Sequence, residues 1–327
     1  MGRVVYMNGE FIPEAEAKVS IYSLDVMQSA AAFEMTRSFH GVHFKLREHL
    51  TRLVKSCRLL SIPVDTLAFS GIYDQCLEVS ARNDHGPGEE HRLLIVVSPG
   101  CAPMYKELAG VIPHPFIYIA DFPLRYTVQG FSPYFLEGVH CVTSTIQQVP
   151  DACIPSAAKH RSRLHFHLAQ QQVPAGTWPV LKSEGGLLTE APGANLVYVQ
   201  TVNGRQRIRT IAEHCLPGIS LQTIRELVLT EEVGWRGTGD SAVDELWLTG
   251  TPFCMLPVVS LDGKPIGDGQ IGPVYQQTLA KWSAMVGLDI AQQIIDWDED
   301  PAVGTLWTPR QQRILEARAA RLDPTQH

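Results

Sequence analysis

No stretch of this 327-residue sequence approaches the roughly 18 consecutive apolar residues that a membrane-crossing helix needs, so no membrane partner is expected. Concentrated positive charge is missing too. Lys and Arg number 27 against 34 Asp and Glu, a formal charge of −7, which is a poor match for nucleic acid or an anionic surface. Seven cysteines (57, 76, 101, 141, 153, 215 and 254) are scattered and odd in number, and no Cys-x-x-Cys occurs. That spacing signals neither a zinc site nor a redox pair, and free thiols in a reducing compartment are expected instead. The start, MGRVVYMNGEF, carries no secretory h-region, and Tyr6 stands where a myristoylation signal has Ser or Thr; the cytoplasm is the expected location. No phosphate-binding Walker loop, His-Glu-x-x-His or Gly-x-Ser-x-Gly is present.

What remains is a chain that is 45% apolar and only 19% charged, long enough for about two domains. Four hairpins are legible from turn dipeptides that tolerate positive φ: Asn8-Gly9, His40-Gly41, Asn203-Gly204 and Asp262-Gly263, each beside short apolar strands. Leu46, Leu50, Leu53, Val54, Cys57 and Leu60 share one stripe and predict a helix over 46–60. Further helices are expected at 66–81, 157–172, 218–231, 274–286 and 306–321. Strands joined mostly by hairpins, with helices between, predict a mixed α+β protein. The proline- and glycine-bearing segment 123–133 is the expected linker between a domain at 1–122 and a second at 134–300, with a tail over 301–327. Asn83–Glu90 reads as a surface loop.

Taken singly, the chemical motifs have ordinary readings. Gly267, Gly269 and Gly272 spell Gly-x-Gly-x-x-Gly, but Pro273 follows and no βαβ unit surrounds them, so a turn feeding a helix is expected. His165 and His167 lie two apart on an expected helix and point in different directions, which is unsuited to a shared metal; no metal site is expected. Leu216-Pro217-Gly218-Ile219-Ser220 opens a helix whose free N–H groups suit a phosphate, although any helix cap looks similar. Thr189-Glu190 puts a carboxylate just before an apolar strand that starts near Asn195. Lys159 falls in an expected helix start. Arg52 projects about 140° from the apolar stripe of its helix, so periodicity alone makes it a solvated arginine.

In order, these pieces resemble the class IV aminotransferases, the fold-type IV pyridoxal-phosphate enzymes. The resemblance runs from Asn8-Gly9-Glu10-Phe11 through AFEMTRSFHG (32–41), REHLTRL (47–53), the lysine of AAKHRSRL, LTEAPGANL (188–196), LPGIS (216–220) and DELWLTGT to Pro257-Val258. It implies a smaller N-terminal α/β domain and a larger barrel-like C-terminal α/β domain, with pyridoxal 5′-phosphate in the cleft between them. Lys159 would be the Schiff-base lysine that also shuttles the α-proton. Glu190 would pair with the pyridine nitrogen and keep the ring an electron sink. Arg52, Ile219, Ser220 and Thr251, with Gly218 and Gly250, would hold the phosphate, while Leu216 would pack on the ring and Asn195 would lie beside it. The implied substrates are an amino acid and a 2-oxo acid, and the implied assembly is a homodimer.

The departures from the family pattern fall on substrate recognition. Gln28 stands where a pocket tyrosine is usual, and Arg37 is a further candidate for substrate contact. Pro252 follows the Gly-Thr pair and has no N–H to offer a substrate carboxylate. Lys106 occupies the stretch that carries Arg-x-His in the D-amino-acid branch, without the bidentate fork of arginine. Aminotransferase is the expected activity. A lyase of the aminodeoxychorismate type and a non-catalytic binding module of the same fold are the alternatives.

Overall fold

The computed structural model describes residues 2–64, 71–108, 110–237 and 243–300. They form two compact units: residues up to Tyr126 with 149–165 and 214–219, and residues 127–148 and 166–213 with the chain from Ser220 onward. The boundary at 126/127 lies inside the expected linker, but the first unit also takes back two segments from the second half of the sequence.

In the first unit β1 (Val4–Met7) and β2 (Glu10–Pro13) form the first expected hairpin, with Asn8 at φ 51° and Gly9 at φ 99°. After the short α1 (Leu24–Met27) come β3 (Ala32–Met35), the small hairpin of β4 (Ser38–Phe39) and β5 (Val42–His43), α2 (Leu46–Leu59), α3 (Ile72–Arg82), β6 (His91–Ser98) and β7 (Phe116–Pro123). The antiparallel sheet runs β2-β1-β7-β6-β3. Its two faces differ because side chains alternate along a strand. Ala32, Leu93, Ile95, Val97, Ile117 and Ile119 pack with Leu46, Leu50, Leu53 and Cys57 of α2 and Ile72, Cys76 and Val79 of α3. The other face gathers Phe33 and Val96, with Met35, Leu94 and Tyr118 beside them.

The second unit contains α5 (Ser132–Leu136), preceded at the boundary by α4 (Arg125–Val128), then β8 (Val139–Thr143), α6 (Leu164–Gln172, whose first two residues belong to the first unit), β9 (Trp178–Val180), β10 (Glu190–Ala191), β11 (Ala194–Val202) and β12 (Arg205–Thr210). It continues with α7 (Ile219–Leu227), β13 (Thr230–Glu232), β14 (Glu245–Gly250), β15 (Cys254–Leu261), β16 (Lys264–Pro265), α8 (Pro273–Val286) and α9 (Ile290–Glu299). The sheet runs β13-β12-β11-β14-β15-β8-β9, and β10 pairs with β11. Leu181, just past β9, donates its N–H to Glu190 O and accepts from Thr189 N–H. These bonds close the sheet on itself, which gives the barrel-like form expected of the second domain.

Several local expectations change. Helix α6 begins at Leu164, and Lys159 therefore does not sit in a helix start. Phe33 N–H donates to Lys159 O and Arg161 N–H to Ala31 O, so the 159–161 backbone is committed to the edge of β3 and cannot close helical turns. The helix expected to 231 stops at Leu227 because Thr230–Glu232 pair in parallel with β12. Helix α9 was not anticipated. Residues 66–70 of the expected 66–81 helix, the expected 306–321 helix and the 301–327 tail lie outside the described residues. Six of the seven cysteines are buried free thiols, and Cys153 is exposed. Among the described residues no helix is long and apolar enough to cross a membrane.

The Gly-x-Gly-x-x-Gly segment feeds α8 with Pro273 in the first turn, as expected. The buried Glu245 carboxylate accepts from Val274 N–H, Tyr275 N–H and Trp247 Nε1–H, so it caps the helix against the barrel. A Cβ on Gly272 would fall 2.1 Å from Glu245 Cδ. Gly272→Ala is therefore expected to cost about 1–3 kcal/mol by displacing that carboxylate, measurable as a lowered midpoint in denaturant unfolding.

Candidate active site

Within the first unit, the site residues are organised by a buried carboxylate on β3. Glu34 is wholly buried and takes a bidentate bond from Arg52, at 2.7 Å from Nε to Oε1 and 2.8 Å from Nη2 to Oε2. His49 Nδ1 lies 2.7 Å from Oε2. Arg52 Nη1 donates to Pro217 O at 2.9 Å, which carries the network to the loop before α7. Arg52 is thus 7% exposed, against what its helical phase alone predicts, because the 214–219 segment covers that face. Three of its five N–H groups are engaged, leaving two for a ligand. Burial raises the Glu34 carboxyl, but Arg52 and His49 outweigh it and hold it down at about 2. Burial keeps His49 below its ordinary value despite the carboxylate beside it.

One turn further along α2, the Ser56 hydroxyl donates to Arg52 O and accepts from Lys159 N–H. With Lys159 O accepting from Phe33 N–H, both backbone polar groups of Lys159 are fixed, one by α2 and one by β3. Its ammonium stands 4.9 Å from the centroid of the Phe33 ring, followed by the Arg161 and Arg163 guanidinium carbons at 5.3 and 5.9 Å. Phe33 belongs to the sheet face turned away from α2 and α3. By strand alternation Arg92 of β6 shares that face, and it is 5% exposed. Its only hydrogen bonds go to Thr36 O and Met35 Sδ, and it has no carboxylate partner among the described residues. Burial, with the nearby Arg37, pushes the Arg92 guanidinium down to about 9. Arg37 is 1% exposed and lies 3.8 Å over the Phe39 ring. Gln28 is exposed and lines a cavity of about 290 Å³ with Ser29, Leu60, Ile154 and His160. Lys106 is exposed and pairs with Glu107 at 3.6 Å. Leu216 and Gly218 lie on the loop that Arg52 grips at Pro217.

The second unit supplies a different set. Glu190, 8% exposed, is registered against Asn195 of β11, which faces Thr249 of β14, so the three form a row across neighbouring strands. Gln148 Nε2 donates to Glu190 Oε1 at 2.9 Å. The row ends beside the tight connection Gly250-Thr251-Pro252-Phe253 between β14 and β15. A Cβ on Gly250 would come 2.7 Å from Gly193 O and 2.8 Å from the Phe253 ring, so glycine is required by close approach. Helix α7 starts at Ile219, with Ser220 buried in its first turn, where the helix macrodipole favours an anion.

Glu34, His49, Ser56, Gln148 and Arg92 were not singled out from sequence. For Glu34 a signal existed: a charge inside a strand flanked by apolar residues must find a partner when buried. Gln148 lies in an irregular segment and offered none.

Residues 31–261 match the class IV aminotransferase family (Amino-transferase class IV), so the chain belongs to it. It is a pyridoxal-phosphate-dependent aminotransferase by that membership. It is 26% identical over 291 residues to the putative branched-chain-amino-acid aminotransferase of Methanocaldococcus jannaschii, covering 85% of this chain and 94% of that one. The branched-chain-amino-acid aminotransferase of Escherichia coli K12 is 26% identical over 290 residues, with 83% and 88% covered. The crystal structure of a T.th. branched-chain amino acid aminotransferase complexed with N-(5′-phosphopyridoxyl)-L-glutamate matches with a TM-score of 0.74 and 24% identity, over 88% of this chain and 95% of that one.

Each unit carries groups whose chemistry suits the family cofactor: the first a backbone-clamped lysine and an arginine with two N–H groups to spare, the second a buried carboxylate. Removing the Glu34 charge would leave Arg52 buried without its counterion. Glu34→Gln is expected to destabilise the protein by about 3–5 kcal/mol in chemical denaturation. Because the folded carboxyl titrates at about 2 and an unfolded one near 4.5, its contribution is fully present above that upper value. It should be lost as the pH falls from about 4.5 towards 2, a loss that Glu34→Gln should not show.

Proposed function

We propose that Lys159 is the catalytic lysine of this aminotransferase and that the preferred amino-group partners include dicarboxylic substrates. The observation that carries the first part is the double backbone clamp on Lys159, which holds its ammonium over the Phe33 ring. Pyridoxal phosphate, when bound, supplies the electron-withdrawing ring that stabilises negative charge developing at the substrate Cα. Lys159 Nζ would take the proton from the substrate Cα as a general base and give it back as a general acid. Glu190 would keep a proton at the ring nitrogen, with Gln148 orienting the carboxylate. Arg52, the Ile219 and Ser220 amides and the Gly250-Thr251 turn would hold the phosphate, while Leu216 and Asn195 would position the ring. Pro252 contributes no N–H, so substrate carboxylates depend on side-chain cations.

Arg92 supports the second part. A buried guanidinium with no carboxylate partner among the described residues, pushed down by burial and by its neighbour Arg37, gains more from an incoming anion than an already paired arginine would. Gln28 and Lys106 are proposed only as peripheral contacts. A homodimer is proposed from the exposed apolar side chains Ile21, Val26, Met27 and Met104 on the first unit. A cytoplasmic location accords with six buried free thiols.

Lys159→Ala is expected to lower kcat by roughly a thousandfold or more while the protein remains folded by circular dichroism. Retention of turnover would remove Lys159 from the reaction. Arg92→Gln is expected to raise KM for glutamate and 2-oxoglutarate about 10–100-fold with little change for leucine. Equal effects on both substrates would argue against a role in reading the second carboxylate.

A further inference from the structure

The loop Asn83–Glu90 and the start of β6 hold a cluster that the aminotransferase reaction does not use. His85 leaves the loop after α3, His91 opens β6, and Asp121 lies on β7 opposite Leu93, two residues along, on the same face as His91. Asp121 Oδ2 is 2.7 Å from His91 Nδ1 and 3.2 Å from His85 Nε2, and the three donor atoms lie within 4.8 Å of one another. The side chains of Asp121, His85 and His91 are 0%, 5% and 18% exposed. Two of their polar atoms are buried without a hydrogen-bond partner: Asp121 Oδ1, and His85 Nε2, whose approach to Oδ2 lacks hydrogen-bond geometry. Buried polar atoms normally find partners, so two unpartnered ones in a single cluster leave coordinating capacity there. The third nearby imidazole, His43, is set apart, since its nitrogens lie at 3.3 Å from Thr36 Oγ1 and 2.7 Å from Ser80 Oγ.

We propose that His85, His91 and Asp121 form a binding site for one divalent transition-metal cation of the zinc class, separate from the aminotransferase site. Two imidazole nitrogens and a carboxylate are the ligand types such ions select, and the 2.7 and 3.2 Å separations from Asp121 Oδ2 to the two imidazoles suit neighbouring ligands about 2.0–2.2 Å from a common centre. The cation replaces the proton shared by His91 Nδ1 and Asp121 Oδ2, and it brings His85 Nε2 into its coordination sphere. The ion ties the 83–90 loop to the β6–β7 edge, leaving a fourth position for water.

The test is titration of the full chain with its cofactor bound, using zinc chloride by calorimetry and cobalt(II) by visible ligand-field absorption. One saturable site per chain is expected. His85→Gln and His91→Gln should each weaken it at least tenfold, and the double variant should abolish it, whereas His167→Gln on the exposed face of α6 should leave it intact. Circular dichroism in metal-free buffer checks that the variants fold. On the unaltered chain, zinc should raise the thermal midpoint relative to EDTA. Absence of saturable binding, an unchanged midpoint, or a site that survives in the double variant overturns the proposal.

Discussion

A bidentate ion pair removed from water, Glu34 with Arg52, is the constraint on which the first unit's functional face depends. Burying either charge alone is severely unfavourable, so each requires the other in place. That requirement fixes the phase of α2 against β3. It also leaves Arg52 Nη1 to grip Pro217 O, and it puts Ser56 where its hydroxyl meets Lys159 N–H. A strand, a helix and two returning segments thus share one polar network inside an otherwise apolar layer. The helix-side face of the sheet supplies stability through Leu, Ile, Val and Cys packing. The opposite face carries Phe33 and Arg92 with Lys159 above.

The second unit solves a comparable problem with backbone bonds. A short strand such as Glu190–Ala191 has little to hold it alone. Its bonds to Leu181 on one side and β11 on the other make it the seam that closes the barrel. Glu190 gains a fixed position from that closure, and Gly250 is confined to glycine by the same crowding at the end of the row. Glu190 and Gly250 are therefore held by elements whose main role is to complete the sheet.

Much of this was legible beforehand. The four turn dipeptides place residues at positive φ where hairpins form, because glycine, asparagine and aspartate tolerate that backbone region. The apolar stripe of α2 and the proline start of α8 are likewise local properties. The less successful readings also share a cause. Residues 157–163 have helical composition, but Lys159 O and Arg161 N–H bond the edge of β3 and Lys159 N–H bonds Ser56 on α2. Arg52 has a solvent-facing phase but lies under a loop from another part of the chain. In each case a distant partner overrode a correct local preference.

The sequence by itself determined the family, the mixed α+β class, the turns and most helices, since these follow from motif order and from interactions within a few residues. Only the tertiary structure decided which lysine, arginine and carboxylate stand in fixed positions. Lys159 owes its place to a hydroxyl 103 residues away, and Arg52 owes its burial to a carbonyl 165 residues away. Partners at such separations leave no periodic trace, because the bond depends on where the folded chain returns and not on what lies beside it in sequence.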